Sequence, residues 1–238
     1  MSNVDTLIEG ARKLGIDIGK DKQDKFILYK KLLKEWNRKI NITSITDDVE
    51  IDIKHFIDSI TPFNTQLFKD EMKVIDIGTG GGFPGIPLKI IKEDLGMVLL
   101  DSLNKRIKFL NQVIEDIGLK DIVAIHGRAE ELARDKVHRE NYDIAISRAV
   151  ASLNTLCEYA LPFVKVGGYF ISMKGSDIDE EVAEAGKGIK TLGGRVRKKI
   201  MIDLPLSSIK HSLIIIQKVK ETPTKYPRGG GKPKKKPL

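Results

Sequence analysis

The chain has 238 residues, of which 41% are hydrophobic and 31% are charged, a balance typical of a globular protein rather than a disordered or fibrous one. No stretch approaches the ~20 consecutive apolar residues of a membrane-spanning helix, and the N-terminus lacks the basic and apolar regions of a signal peptide. Cys157 is the single cysteine, which excludes an intramolecular disulfide and a cysteine-rich zinc site. We therefore expect a protein of the reducing cytoplasm that has no membrane partner.

The formal net charge of +8 is concentrated near the C-terminus. Residues 221–238 hold six basic residues and one acid, together with four prolines and three glycines. The basic residues of this segment are Lys225, Arg228, Lys232, Lys234, Lys235 and Lys236. The composition predicts a flexible basic tail suited to an anionic polymer such as RNA, with a merely solubilising tail as the alternative.

Residues 1–70 are predicted to form a helical cap. In the segment 22–39, apolar residues recur at three- and four-residue spacings, which indicates one buried stripe on a basic helix. The stripe consists of Phe26, Tyr29, Leu32, Leu33 and Trp36. A second helix is predicted over about 48–60, capped by Asp47 or Asp48 and ended by Pro62. The residues expected to face the core from this helix are Val49, Ile53, Phe56, Ile57 and Ile60.

Residues 71–220 show a different sequence pattern, in which short apolar runs alternate with helix-forming stretches. The runs cover 72–78, 97–102, 121–126, 142–147 and 169–174. This alternation predicts an α/β domain with a parallel sheet buried on both faces. Two further runs, 195–204 and 212–220, predict closing strands that include an antiparallel pair.

The segment 187–199 contains six basic residues and no acid, and it is predicted to run from a basic loop into the strand at 195–204 and to contact RNA phosphates. These residues are Lys187, Lys190, Arg195, Arg197, Lys198 and Lys199.

The first apolar run ends in a glycine-rich loop, 78–85, that precedes a helix-forming stretch. The loop matches neither the dinucleotide fingerprint, since Phe83 replaces the third glycine, nor a phosphate-binding loop, since no Lys-Ser/Thr pair follows. Asp76, two residues before Gly78, suits a cationic ligand better than a pyrophosphate. S-adenosylmethionine carries a sulfonium and an ammonium, and Gly80 would let it approach the backbone. The sequence therefore predicts a site for this cofactor.

Two more acids extend the predicted cofactor site. Asp101 ends the second apolar run, at the position where a ribose diol is usually held. Glu130 follows the third run and is expected near the adenine or the ribose.

The segment after the fourth run, Ser147-Arg148-Ala149, is expected to lie beside the transferred methyl group. It lacks the Asp/Asn-Pro-Pro-aromatic pattern typical of enzymes that methylate exocyclic amines. Cys157, the single candidate for a covalent mechanism, has the spacing of a packed core residue. What remains is an acceptor that is already nucleophilic, such as guanine N7, for which alignment suffices and Arg148 acts in positioning. The four histidines have no metal-binding spacing, so no metal is expected.

Several motifs together resemble the bacterial 16S rRNA guanine-N7 methyltransferase G family, also called the glucose-inhibited division protein B family. They are VIDIGTGGGFPGIPL, Trp36-Asn37, Asn41-Ile42-Thr43, His55, Asp58-Ser59, Arg128-Ala129-Glu130, Ser147-Arg148-Ala149 and Lys174-Gly175. The resemblance covers about residues 25–238. It departs from the family after Arg228, where Gly229-Gly230-Gly231 replaces the usual Lys-Ala-Gly.

The resemblance implies a class I methyltransferase fold, S-adenosylmethionine as cofactor, and guanine 527 of 16S rRNA as target. The positions that match the family's cofactor contacts are Gly78, Phe83, Ala129, Glu130 and Arg148. Asn37, Asn41, His55 and Asp58 match motif positions without an assigned role. We expect a monomer that acts on the small ribosomal subunit or an assembly intermediate of it. The alternatives are a methyltransferase for another RNA or a protein, and a non-catalytic RNA-binding protein.

Overall fold

The computed structural model describes residues 4–148 and 151–238, and its centre is a seven-stranded sheet in the order β3-β2-β1-β4-β5-β7-β6. The strands are β1 (Lys73–Ile77), β2 (Gly96–Asp101), β3 (Ile122–His126), β4 (Tyr142–Arg148), β5 (Val164–Gly175), β6 (Gly194–Asp203) and β7 (Lys210–Lys218). Neighbours from β3 to β5 pair in parallel, and β7 is antiparallel to both β5 and β6. The predicted parallel sheet with closing antiparallel strands is confirmed.

Helices cover both faces of this sheet and build the N-terminal cap. They are α1 (Asp5–Lys13), α2 (Lys20–Ile40), α3 (Asp48–Ile51), α4 (Asp58–Ile60), α5 (Gly85–Ile91), α6 (Asn104–Asp116), α7 (Ala129–Leu132), α8 (Leu153–Ala160), α9 (Asp179–Thr191) and α10 (Lys232–Lys235). No helix in the described residues is long and apolar enough to cross a membrane.

The helix predicted over 48–60 is present but not uniform. Asp47 caps it, since its carboxylate accepts a hydrogen bond from the Glu50 amide at 2.9 Å. Between α3 and α4 the chain takes a π-helical turn, Asp52–Ile57, and after α4 it continues as a 3-10 helix through Pro62. The expectation that Val49 faces the core is wrong, because 50% of this residue is exposed in the first helical turn.

The cap and the sheet share one apolar core. Tyr29 and Phe56 are fully buried, and the Tyr29 ring stacks on Phe83 of the glycine-rich loop at 5.5 Å between centroids. The Tyr29 hydroxyl donates to the carbonyl of Gly81 in the same loop. The cap thus supports the loop directly. The domain boundary at residue 70, between the cap and the α/β domain, stays a prediction.

The C-terminal segment packs against the domain, in contrast to the predicted flexible tail. Arg228 forms a two-pronged ion pair with the fully buried Glu158 of α8, at 2.6 and 2.9 Å. Arg139 donates to the carbonyls of Thr222 and Tyr226 at 2.7 and 2.9 Å. Low-complexity composition misled the prediction, because the partners of this segment lie about 70 to 90 residues away in sequence. Arg228 therefore anchors the segment, and its contact with RNA stays a prediction.

The basic segment 187–199 is mostly helix where a loop was predicted before residue 195, and it is strand from there on, as predicted. It forms the end of α9 and the first half of β6, an edge strand. All six basic side chains belong to exposed residues, although Lys199 pairs with Asp179 and Arg197 donates to Gln217 at 2.6 Å. An exposed edge strand with this charge also resists pairing with another sheet. RNA contact by these residues stays a prediction.

Candidate active site

The glycine-rich loop joins β1 to α5 at the carboxyl edge of the sheet. Gly78, Gly80 and Gly82 have φ angles of +71°, +60° and +95°, a region that favours glycine. A Cβ atom added at Gly81, Gly82 or Gly85 would lie within 2.7 Å of another side chain. A Cβ atom at Gly80 would meet its nearest heavy atoms only at 4.0 Å. Gly80 therefore leaves open space on the ligand side of the loop.

Asp76 lies beneath the loop rather than at a ligand surface. Its Oδ2 accepts hydrogen bonds from the Thr79 hydroxyl at 2.6 Å and the Gly85 amide at 2.9 Å. Burial raises the pKa of its fully enclosed carboxyl to about 6, against the effect of these hydrogen bonds. The predicted direct contact with a cationic ligand is corrected, since Asp76 holds the loop in shape and lines neither cavity described below.

Asp101 ends β2 and ties the loop to the neighbouring strand. Its Oδ2 accepts from the Gly80 amide at 2.9 Å and from Arg106 Nη1 at 3.2 Å. Its Oδ1 accepts from the Leu103 amide at 2.9 Å. Arg106 was not predicted as a site residue. Its guanidinium reaches Asp101 only because the first turn of α6 lies beside the loop in the folded protein.

Two adjoining cavities of about 410 and 420 Å³ form a cleft at this edge and share Gly78, Asp101 and Ser102. The first cavity is also lined by Ile42, Thr43, His55, Thr79, Gly80, Gly81, Phe83, Arg106 and Arg148. The second is also lined by Ile77, Leu100, Gly127, Arg128, Ala129, Glu130, Tyr159, Gly231, Lys234 and Lys235. Seven of the eight predicted cofactor residues therefore meet in one cleft, and Asp76 is the exception. The two tail lysines are an unexpected part of its wall.

Arg148 lies at the end of β4, as predicted, and is held firmly. Its Nη1 donates to Asp58 at 2.6 Å and to the carbonyl of Lys54 and the hydroxyl of Ser59, both at 3.2 Å. Its guanidinium carbon lies 5.2 Å from the centroid of the Phe83 ring. The neighbouring Ala149 lies outside the described residues.

Asp58 connects Arg148 to a histidine. Its second oxygen lies 2.8 Å from Nδ1 of His211, the second residue of β7. Burial opposes ionisation of Asp58, but the hydrogen bond from His211 and the Arg148 cation outweigh burial and lower the pKa of Asp58. The carboxylate is therefore charged at neutral pH.

His55 stacks on Phe83, with ring centroids 4.5 Å apart and an interplanar angle of 11°. Burial, and next the charge of Arg148, lower its pKa to about 4. Its Nε2 lies 2.8 Å from the Thr43 hydroxyl, and its buried Nδ1 has no partner among the described residues. His55 is therefore neutral at pH 7 and has one hydrogen-bonding atom to spare.

Asn37 and Asn41 shape the chain that faces the cleft. Asn41 ends α2 with a φ angle of +49°, a left-handed conformation that Asn tolerates. The Asn37 side-chain oxygen accepts from the amides of Ile42 and Thr43 at 2.6 and 2.8 Å. Asn37, His55 and Asp58 thus each contact a residue that lines the cleft, whereas Asn41 contributes the backbone turn after α2.

Cys157 is fully buried within α8, and burial raises the pKa of its thiol. It lines neither cavity of the cleft, in agreement with the predicted packing role. The described residues contain no cluster of three or more His, Cys, Asp or Glu side chains arranged to hold a metal.

The residues that line the cleft fit S-adenosylmethionine in their chemistry. Gly80 leaves space for a ligand, and the acids Asp101 and Glu130 offer acceptors for hydroxyl and amino groups of an adenosine. The buried Nε of Arg106 has no partner among the described residues and would suit the carboxylate end of the methionine.

Comparison with known proteins agrees with this site. The model of the family described as rRNA small subunit methyltransferase G matches residues 22–203. The chain is 51% identical to ribosomal RNA small subunit methyltransferase G of Alkaliphilus metalliredigens, over 98% of the chain and 97% of that protein. It is 54% identical to the protein of the same name from Acetivibrio thermocellus, over 98% of the chain and 95% of that protein. An S-adenosylmethionine-dependent methyltransferase from Aquifex aeolicus has the same fold, with a TM-score of 0.54 and 18% identity over 74% of this chain and 96% of that one. The chain belongs to the rRNA small subunit methyltransferase G family.

Proposed function

We propose that this protein transfers a methyl group from S-adenosylmethionine to N7 of guanine 527 in the 16S rRNA of the small ribosomal subunit. The observation that carries the proposal is the position of Arg148, which lines the cleft at the end of β4 beside Phe83 of the glycine-rich loop. The relatives' shared name supports ribosomal RNA as the substrate, and the family resemblance supports the nucleotide.

The cofactor supplies an electrophilic methyl group on its sulfonium. Asp101 and Glu130 would hold the adenosine, while Gly78 and Gly80 give the methionine part access to the loop backbone. N7 of guanine would donate its lone pair to that methyl carbon, and the electrons of the carbon–sulfur bond would leave on sulfur. The positive charge passes from the sulfonium to the base, and no proton moves.

The residues near Arg148 fit a reaction without a general base. His55 is neutral but stacked on Phe83, and Cys157 is buried elsewhere. Arg148 itself cannot grip guanine through both O6 and N7, the usual arginine contact, because N7 must keep its lone pair for attack. Its Nη1 is already engaged, and its Nε and Nη2 have no hydrogen-bond partner within the described parts of the chain. These donors suit O6 alone or a flanking phosphate, so Arg148 aligns the reactants.

We infer that the protein acts as a monomer in the cytoplasm, on the small subunit or on an assembly intermediate. A ribosomal RNA substrate supports this location.

Replacing Arg148 with alanine tests the proposal. Single-turnover methylation of small subunits, purified from cells that lack the protein, should slow by roughly ten- to a thousandfold through lost alignment. Cofactor affinity, measured by calorimetry, should fall by less than that. Arg12→Ala, at an exposed residue of α1, is the matched control and should behave as the wild type.

Unchanged turnover of the Arg148→Ala variant would make Arg148 a packing residue. Equal losses of turnover and cofactor affinity would make it a cofactor ligand only. Methylation of protein or of another RNA by the wild type, with none on the small subunit, would replace the proposed substrate.

A further inference from the structure

A third cavity, of about 340 Å³, adjoins the cleft on the far side of Arg148. Arg148 lines both this cavity and the first cavity of the cleft. The other residues of its lining are Lys54, Asp58, Met173, Lys174, Gly175, Leu204, Ile209, Lys210 and His211. We call it the Arg148 pocket.

The position of the Arg148 pocket follows from the strand order. Met173 pairs with Arg148 across β4 and β5, and Gly175 pairs with His211 across β5 and β7. The pocket therefore lies at the carboxyl ends of β4 and β5, next to the residue that we expect beside the methyl group. An acceptor atom must come within about 3.5 Å of the methyl carbon, so the acceptor has to occupy space next to Arg148.

The lining of the Arg148 pocket combines apolar walls with a polar edge. Met173, Leu204 and Ile209 supply apolar surface, and Ile209 remains 38% exposed between β6 and β7. Arg148 and the Asp58–His211 pair form the polar side. Enzymes that modify a nucleobase hold it in such a pocket, between apolar side chains and with hydrogen bonds to its edge.

Two cations at the rim suit the phosphates on either side of an extruded base. Lys54 pairs with Glu50 at 2.6 Å and Lys210 pairs with Asp203 at 3.3 Å. Both acids are exposed, so solvent screens these pairs and a phosphate can replace the acid at little cost.

We propose that the Arg148 pocket receives the target guanine as an extruded base, stacked against Ile209 and with O6 facing Arg148. The proposal rests on the proposed function and identifies where its acceptor binds. It makes Ile209 and Gly175 residues of the nucleobase site, although neither touches the cofactor cleft.

Filling the pocket is the first test. Gly175 lines it, and a Cβ atom added there meets no heavy atom within 4 Å, so the backbone position tolerates the first carbon of the added side chain in Gly175→Leu. Gly186→Leu is the matched control, because Gly186 on α9 is equally open and lies away from all three cavities. We expect single-turnover methylation of small subunits to fall at least about a hundredfold for Gly175→Leu and to stay at the wild-type rate for Gly186→Leu. Calorimetric affinity for S-adenosylmethionine should stay unchanged in both.

Trimming the exposed wall is the second test. Ile209→Ala should lower kcat/KM about ten- to a hundredfold by loss of stacking surface, and Ile209→Met should restore most of it. Val137→Ala, at a more exposed apolar residue away from the pocket, should have no effect.

The two sets of variants separate the pocket from the proposed function. Wild-type methylation by both Gly175→Leu and Ile209→Ala would overturn the pocket and leave the proposed function standing. A loss of cofactor affinity equal to the loss of turnover would also overturn it. A wild-type protein that methylates no small-subunit rRNA would refute the proposed function, and the pocket with it.

Discussion

Gly80 is one residue at which the geometry of the loop leaves room for a ligand. Gly80→Val should abolish S-adenosylmethionine binding, because the new side chain enters the open space above the loop. The φ angle of +60° also makes any side chain there strained, by about 1–2 kcal/mol. Gly118→Val is the matched control, since Gly118 has a φ of +67° and equal space but lies away from the cleft. Calorimetry should show binding lost only in Gly80→Val, and retained affinity there would place the cofactor elsewhere.

His55 should contribute to the pH dependence of stability. Its pKa of about 4 in the folded protein lies below the ordinary value of 6.5, so the unfolded chain binds the proton more tightly. The stability contributed by neutral His55 is therefore present above pH 6.5 and is lost as the pH falls towards 4. Urea unfolding should show that the wild type loses about 2 kcal/mol more between pH 7 and pH 5 than His55→Asn does. Asp52 and Asp76, whose pKa values are raised to about 6, oppose this trend equally in both proteins. Equal losses would show that folding does not lower the pKa of His55.

Site residues could be predicted by type but not always by role. The motif around Asp76 identified the right loop, yet the side chain faces inward, where its Oδ2 accepts two hydrogen bonds from the loop. Arg106 gave no sequence signal, since a lysine- and arginine-rich helix start is common on any surface. Asp58 and His211 are about 150 residues apart, and only the pairing of β5 with β7 brings His211 to the end of β4.

Among the elements, the C-terminal segment departs most from expectation. Its composition is that of a disordered chain, but Arg228 neutralises a carboxylate that has no access to water. Arg228→Ala should destabilise the protein by about 3–5 kcal/mol, because Glu158 would be left buried and unpaired. Chemical unfolding measures this, with Lys225→Ala, an exposed neighbour, as the control. A change below about 1 kcal/mol would return the segment to a loosely held tail.

The exposed lysines of the same segment should contribute to RNA affinity. Lys234 and Lys235 line the second cavity. Each phosphate contact on single-stranded RNA steepens the slope of log K against log salt by about 0.7. The double variant Lys234→Ala/Lys235→Ala should therefore make the slope of log K against log salt shallower by about 1.4. Lys187→Ala/Lys190→Ala tests the second basic segment in the same assay. An unchanged slope in the tail variant would reduce these lysines to solubilising residues.

The strands and most helices followed from the sequence because their signals are local. Apolar runs of about six residues predicted β1 to β5, and two longer runs predicted β6 and β7, within a few residues at each end apart from β5. The length of β5 was missed because Gly167 and Gly168 interrupt its apolar pattern. The π-helical turn and the edge-strand position of 194–203 depend on tertiary packing, which a single sequence does not encode locally.

At the scale of the whole molecule, three layers converge on one edge of the sheet. The cap holds the glycine-rich loop through Tyr29, the sheet presents Asp101 and Arg148, and the C-terminal segment closes the second cavity with Lys234 and Lys235. The three cavities in a row would take the adenosine, the methionine and the target base in that order. This arrangement explains why one long apolar core spans the cap and the sheet, since relative motion of the two would misalign the reactants.

Mapping methylated guanines in 16S rRNA shows directly whether guanine 527 is the target of this protein. RNA from cells with and without the protein would be cleaved at N7-methylguanosine with borohydride and aniline, and the fragments sequenced. We predict cleavage at guanine 527 in wild-type cells, none there in cells that lack the protein, and restoration by the wild-type chain but only weakly by Arg148→Ala. Cleavage at guanine 527 that persists without the protein would contradict the account.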